Sequence, residues 1–136
     1  MERLPIPGLA FGLDPSRLEW RPTQVDGVGW IPLHLAGKSG PRTRAADDAP
    51  AGSTVLIRMD PGCGYPTHEH LGLEEVLCLA GGYRDEHGVV REGDYVRYEA
   101  GSAHAPVALE EGGPCILFAV AHGGIRLVED PPAPAG

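Results

Sequence analysis

A single lysine, Lys38, stands in the 136 residues, and the other basic side chains are arginines scattered along the chain. Acidic residues number 19 and the formal charge is −8. No basic stripe is left to neutralise a phosphate backbone, which argues against nucleic-acid binding. Long apolar runs are missing too. None approaches the roughly 20 residues a membrane-spanning helix needs. The opening Met1-Glu-Arg-Leu-Pro-Ile-Pro-Gly8 is polar and proline-broken, unlike a secretory leader. Cysteine is scarce: Cys63, Cys78 and Cys115 are odd in number and contain no Cys-x-x-Cys pair. A disulfide framework is therefore not expected, and a reducing cytoplasm is the simplest compartment. Helix-period patterning is weak throughout. One turn, from Asp14 to Trp20, has a capping Asp14 followed by Pro15 and is the single helical candidate.

What the sequence has in quantity is punctuation. Twenty glycines and 14 prolines, about a quarter of the chain, separate short apolar runs of strand length. This pattern predicts many turns and one all-β domain, large enough to bury its core without covalent staples. Residues 1–27 hold Pro5, Pro7, Pro15 and Pro22 and read as an arm packing on the domain through Leu4, Ile6, Leu9, Phe11, Leu13, Leu18 and Trp20. Residues 28–128 form the β-domain, and 129–136, with three prolines, a disordered tail.

Within the domain, Val28–Ala36 reads as the first strand, with Pro32 at an edge or bulge, and Lys38–Gly52 as an exposed loop. Ser53–Met59 is a strand closed by the Asp60-Pro61-Gly62 turn. Glu74–Ala80 continues the strand that begins before it, with Glu74, Val76 and Cys78 on one face. Gly81–Arg84 is short and extended, and Asp85–Gly88 is a turn with His87 at its tip. Asp94–Tyr98 is a strand, and another begins at His104. Cys115–Ala121 is a nearly continuous apolar run expected in the core, and Ile125–Val128 a last edge strand. His34 reads as an ordinary strand residue rather than a ligand.

The chemistry concentrates between Gly62 and Gly81. His68 and His70, two apart, point to one face of an extended strand, and Glu74 follows four residues later. A third imidazole is offered by His104 at the end of a separate glycine-punctuated segment beginning at Gly93. Burying a carboxylate among histidines costs several kcal/mol unless a cation compensates. The four side chains His68, His70, Glu74 and His104 are therefore read as ligands of one divalent metal ion. Glu75 competes with Glu74 for the carboxylate position.

These residues resemble the cupin superfamily. Its first motif, Gly-x5-His-x-His-x(3–4)-Glu-x6-Gly, is matched by Gly62, His68, His70, Glu74 and Gly81, and the second by Gly93, Gly101 and His104. Glu99 and Ala108 stand where that motif has Pro and Asn. Over residues 53–121 the chain is similar to the cupin domain of ChrR-type anti-sigma factors and related stand-alone proteins. The shared features are Glu74-Glu75-Val-Leu, the Gly81-x-x-x-Asp85-Glu86-His87-Gly88 turn, Gly93-x-Tyr95-Val-Arg and His104-Ala-Pro106. The resemblance implies a double-stranded antiparallel β-barrel (cupin or jelly roll) with a metal inside, zinc, iron or manganese being the main choices, and places the ligand first in the Glu-Glu pair.

It also implies two classes of function. One is a small-molecule metalloenzyme, a metal-dependent oxygenase of the diketone-cleaving cupin type, with Met59, Tyr65, Val76, Cys78, Arg97 and Phe118 as candidate substrate-pocket residues. The other is a ChrR-like metal-dependent sensor or binding module without a sigma-binding domain of its own, Cys63 being a candidate redox thiol. A sugar-phosphate isomerase of the same superfamily fits less well, because such sites add a basic residue near the metal. The expected partners are a small-molecule ligand and a second copy of the chain in a homodimer; neither nucleic acid nor membrane is expected.

Overall fold

The computed structural model describes residues 9–10, 12–13, 18–35 and 52–128. The loop read at Lys38–Gly52, Gly52 excepted, the tail from 129 and residues 1–8, 11 and 14–17 of the N-terminal arm lie outside them. So does the start of the turn read at Asp14–Trp20; residues 18–20 contain no helix.

Fourteen strands and no helix are found among the described residues. They are β1 (Leu9–Ala10), β2 (Gly12–Leu13), β3 (Arg21–Pro22), β4 (Val28–Leu35), β5 (Ser53–Met59), β6 (His68–His70) and β7 (Glu74–Ala80). After these come β8 (Gly82–Asp85), β9 (Gly88–Arg91), β10 (Tyr95–Tyr98), β11 (Ala103–His104), β12 (Val107–Ala108), β13 (Cys115–Ala121) and β14 (Ile125–Leu127). All pairings are antiparallel. The largest sheet has the order β10-β7-β13-β5-β4-β3, two three-stranded sheets have the orders β11-β6-β14 and β12-β8-β9, and β1 pairs with β2.

The core lies between the six-stranded sheet and the β12-β8-β9 sheet. Met59, Val76, Cys78, Leu117 and Ala119 from the first pack with Tyr83, Val90 and Ala108 from the second. Alternation produces this face: along β13, Cys115, Leu117, Ala119 and Ala121 are buried together on one side. Each large side chain fully removed from water here contributes about 1.5–3 kcal/mol, and Met59 and Tyr83 are both 1% exposed.

Turn chemistry sets the entry to the site. After β5 the Cys63 amide donates to the Asp60 carbonyl at 2.9 Å, with Pro61 and Gly62 between them. Gly62 has φ +79°, the value the third position of a type II turn needs and side-chain-bearing residues resist. In β4, the register shifts between Pro32 and His34, so Pro32 marks a bulge; β4 is flanked by β3 and β5 and is not an edge. His34 is exposed.

Two expectations need correction. Glu74–Ala80 does not continue the His68–His70 strand: β6 and β7 belong to different sheets, and the chain crosses between them at Leu71-Gly72-Leu73. The crossing is held by a close backbone approach, since a Cβ on Gly72 would stand 2.7 Å from the Gly123 nitrogen. The turn at Asp85–Gly88 is also more than a turn. It joins β8 to β9 in a hairpin whose second strand the sequence reading did not anticipate.

Candidate metal centre

Two strands deliver the histidines. His68 and His70 project from alternate positions of β6, and β11 places His104 directly across from His68 in antiparallel register, where side chains of opposed residues share a face. Backbone bonds extend this pairing. The His70 amide donates to the Ser102 carbonyl at 2.8 Å, and the Gly101 amide to the His70 carbonyl at 2.7 Å. Glu74, first residue of β7, enters from the other sheet because the crossing at Gly72 turns the chain back over the imidazoles. All four side chains are buried, at 6%, 0%, 7% and 4% exposure for His68, His70, Glu74 and His104. One ring nitrogen of each histidine lies within 4.8 Å of the others.

The hydrogen bonds fix which nitrogen faces inward. His68 Nδ1 donates to the Pro66 carbonyl at 3.1 Å, an oxygen that can only accept. Ser102 Oγ donates its own proton to the Glu99 carbonyl at 2.6 Å, so at 3.0 Å it accepts from His70 Nδ1. His104 Nδ1 donates to Asp85 Oδ2 at 2.8 Å. Each imidazole is thereby held as the Nδ1–H tautomer, and each Nε2 keeps its lone pair. His70 Nε2 is buried with no hydrogen-bond partner. It lies 3.3 Å from Glu74 Oε2 without hydrogen-bonding geometry. A buried, unsatisfied acceptor costs about 1–3 kcal/mol, and a metal ion would satisfy it. The three histidines together could hold one.

Burial governs the charges. It lowers His68 and His70 to about 4, the Pro66 carbonyl partly offsetting this at His68 and the neighbouring imidazoles reinforcing it at His70. It also lowers His104, with Asp85 pulling the other way. Glu74 is pushed up to about 7 by burial. Between pH 4 and 7 the His70–Glu74 contact is thus neutral on both sides and is no ion pair. At Asp85, burial raises the carboxyl pKa, but bonds from His104, the His87 amide and Tyr98 outweigh it and the net shift is downward.

An aromatic support lies behind the histidines. Tyr98 stacks on His70, with centroids 4.9 Å apart and planes 22° apart, and packs on His104 at 4.3 Å. Its hydroxyl donates to Asp85 Oδ2 at 2.9 Å, so at 2.5 Å it accepts from Tyr83. Tyr98 is also directly across from Glu74 in the β10–β7 ladder. The sequence reading passed over Asp85, Tyr98 and Ser102 as site residues. A turn aspartate and a strand tyrosine carry no spacing signal of their own; the one hint was Asp85 within the Gly81–Gly88 turn of the resemblance.

A cavity of about 480 Å³ opens onto the site and is lined by His68, Glu74 and His104. Of the candidate pocket residues, Met59, Tyr65 and Val76 line it; Cys78, Arg97 and Phe118 do not. Cys78 is inward but is packed in the core. Arg97 points outward from β10 and pairs with Glu99 at 3.2 Å. Phe118 is on the β13 face opposite Leu117 and Ala119. Glu75 also faces outward, accepting from Tyr95 at 2.7 Å and bonding His122 at 2.9 Å. Glu74, not Glu75, is the carboxylate beside the histidines.

Comparison with known proteins agrees with this geometry. The family model described as the ChrR Cupin-like domain matches residues 10–125. A chain in the crystal structure of Rhodobacter sphaeroides SigE in complex with the anti-sigma ChrR is 28% identical with a TM-score of 0.62; the match covers 80% of this chain and 51% of that one. The present chain therefore spans about half the length of that relative. An RmlC-like cupin protein from Ralstonia eutropha is 22% identical, with a TM-score of 0.66 over 86% of this chain and 71% of that one. A putative acetylacetone dioxygenase from Methylibium petroleiphilum is 15% identical, with a TM-score of 0.66 over 95% and 86%. These last two likenesses show the cupin fold alone. No curated protein matched the chain. With its two histidine-bearing strands, its buried imidazole cluster and a family match over most of its length, the chain belongs to the ChrR cupin-like family.

Proposed function

We propose that this protein binds one divalent metal ion through His68, His70, Glu74 and His104 and acts as a small-molecule metalloenzyme of the dioxygenase type. The observation that carries the reading is the orientation of the imidazoles. All three Nδ1–H groups are held by protein oxygens, which leaves three Nε2 lone pairs and a nearby carboxyl for a cation. Three neutral imidazoles and one carboxylate give a divalent ion a net charge of about +1 and suit zinc, iron or manganese. Bound there, the metal would supply Lewis acidity toward an oxygen-bearing substrate and, if iron, redox chemistry with dioxygen.

The chain's own residues define the rest. Asp85 and Tyr98 keep His104 and His70 in place, and the buried setting excludes bulk water from Glu74. The cavity against His68, Glu74 and His104 gives a small molecule a route to the ion. The activity named for the acetylacetone dioxygenases that share the fold makes β-diketones the first substrates to try.

A second reading, a metal-dependent sensor or binding module, is supported by the 28% identity to the chain from the SigE–ChrR complex. Oxygen uptake separates the two. Iron-loaded protein supplied with β-diketones is expected to consume dioxygen, and a His104→Ala variant is expected not to. Full iron occupancy with no uptake on any diketone would favour the sensor.

A further inference from the structure

The cavity also describes what can enter it. Val55, Ile57, Val76, Leu117 and Ala119 line it as an apolar wall on β5, β7 and β13, in the ladder rows that follow the one holding Glu74, Ala121 and Ser53. Most polar side chains in the lining are already engaged. The Thr23 hydroxyl donates to the Val28 carbonyl at 2.8 Å and accepts from the Val25 amide at 3.0 Å, Tyr83 donates to Tyr98, and Tyr65 bonds Gln24. Ser53 is the remaining wall hydroxyl. Among the described residues that line the cavity there is no lysine or arginine, and the imidazoles and carboxyl, His68, Glu74 and His104, all belong to the candidate metal centre. A ligand's charge or oxygen donors would thus be met at one end only. An anionic group at the other end would lose water with no cation among the described lining residues to receive it.

We propose that the cavity selects a one-headed ligand: oxygen donors at the metal end joined to an uncharged, apolar body lying along Val55, Ile57, Val76, Leu117 and Ala119. Phosphate esters, sugar acids and dicarboxylates are excluded as its ligands. The inference rests on the metal reading given above and names the ligand class of that same site.

The test uses full-length protein loaded with zinc, its metal content measured first, and a series of straight-chain alkyl hydroxamates whose chelating head is constant. Affinity is expected to rise about fourfold for each added methylene that enters the cavity. A hydroxamate of equal length ending in a carboxylate is expected to bind at least tenfold more weakly than its methyl-ended counterpart. Ala119→Val, which narrows the wall, is expected to weaken the longer hydroxamates more than the shortest one while keeping the zinc. If that variant fails to fold, the carboxylate-ended probe on the unaltered protein still decides. Full zinc occupancy with affinity independent of chain length, or indifferent to the terminal carboxylate, overturns the ligand class and leaves the metal reading standing. Failure to retain zinc overturns both.

Discussion

Asp85 serves three neighbours with its two oxygens: Oδ1 accepts the His87 amide at 2.8 Å, and Oδ2 accepts Nδ1–H of His104 at 2.8 Å and the Tyr98 hydroxyl at 2.9 Å. One carboxylate therefore shapes the β8–β9 hairpin and orients an imidazole 19 residues away. Removing it should loosen the metal centre while leaving the proposed ligands in the chain. Asp85→Ala is expected to lower metal affinity about 10–100-fold, read by competition with a chromophoric chelator. Asp85→Asn should fall between that variant and the unaltered protein, since its amide oxygen can still accept from Nδ1. An Asp85→Ala protein with unchanged affinity would show that His104 needs no such support.

Glu74 offers a stability test with a defined sign. Its folded pKa of about 7 is above the ordinary 4.5, so its contribution in the metal-free protein is full below pH 4.5 and is lost as pH rises through 7. Ionising it at pH 8 costs about 3 kcal/mol. Metal-free Glu74→Gln should therefore be more stable than the unaltered protein by about that amount at pH 8, and the gap should close below pH 4.5. Urea denaturation at the two pH values checks this. With metal bound the order should reverse, because the carboxylate is then a ligand.

His68 and His70 act in the opposite direction. Both fall from 6.5 to about 4 on folding, so their contribution is full above pH 6.5 and is lost as pH falls toward 4. The metal-free protein should accordingly lose stability on acidification from pH 6.5, by up to about 3 kcal/mol per histidine. The same values predict the protons released on metal binding. At pH 6 these two imidazoles are already neutral and Glu74 is mostly protonated. Calorimetry in buffers of different ionisation enthalpy should find about one proton fewer released by Glu74→Gln than by the unaltered protein.

The crossing between sheets makes a structural prediction. Gly72 meets the backbone of Gly123 so closely that a Cβ there would lie 2.7 Å from its nitrogen and 2.8 Å from its Cα. Backbone cannot yield as a flexible side chain can. Gly72→Ala is expected to cost about 1–3 kcal/mol and to weaken metal binding by displacing Glu74. Glu75→Ala, on the outer face two residues further from the crossing than Leu73, should leave metal affinity unchanged. Thermal melts and metal titration on the two variants separate the effects.

Much of this arrangement could be read before the fold was known. Ser53–Met59 and Cys115–Ala121 were bounded correctly because turn residues or loss of apolar character frame them on both sides. The shared face of His68 and His70 followed from alternation, and Glu74 was preferred to Glu75 by its distance from Gly81 and by the family resemblance. Alternation gives no facing within an unbroken apolar run, where every residue suits either face, and Phe118, offered as a pocket residue, is on the β13 face opposite Leu117 and Ala119. Arg97, offered as a pocket residue, is exposed on β10. Its neighbour Tyr98 is the inward residue, and a strand that turns Tyr98 inward must turn Arg97 out. The jump between sheets at Gly72 and the role of Asp85 depend on contacts with Gly123 and His104, distant in sequence, which no local pattern encodes.

Anomalous diffraction from crystals of protein purified without added metal or chelator tests the central claim most directly. The account predicts one peak per chain, bonded to Nε2 of His68, His70 and His104 and to a Glu74 oxygen. A peak seated elsewhere, or none with the three imidazoles hydrogen-bonded among themselves or to water, would contradict it.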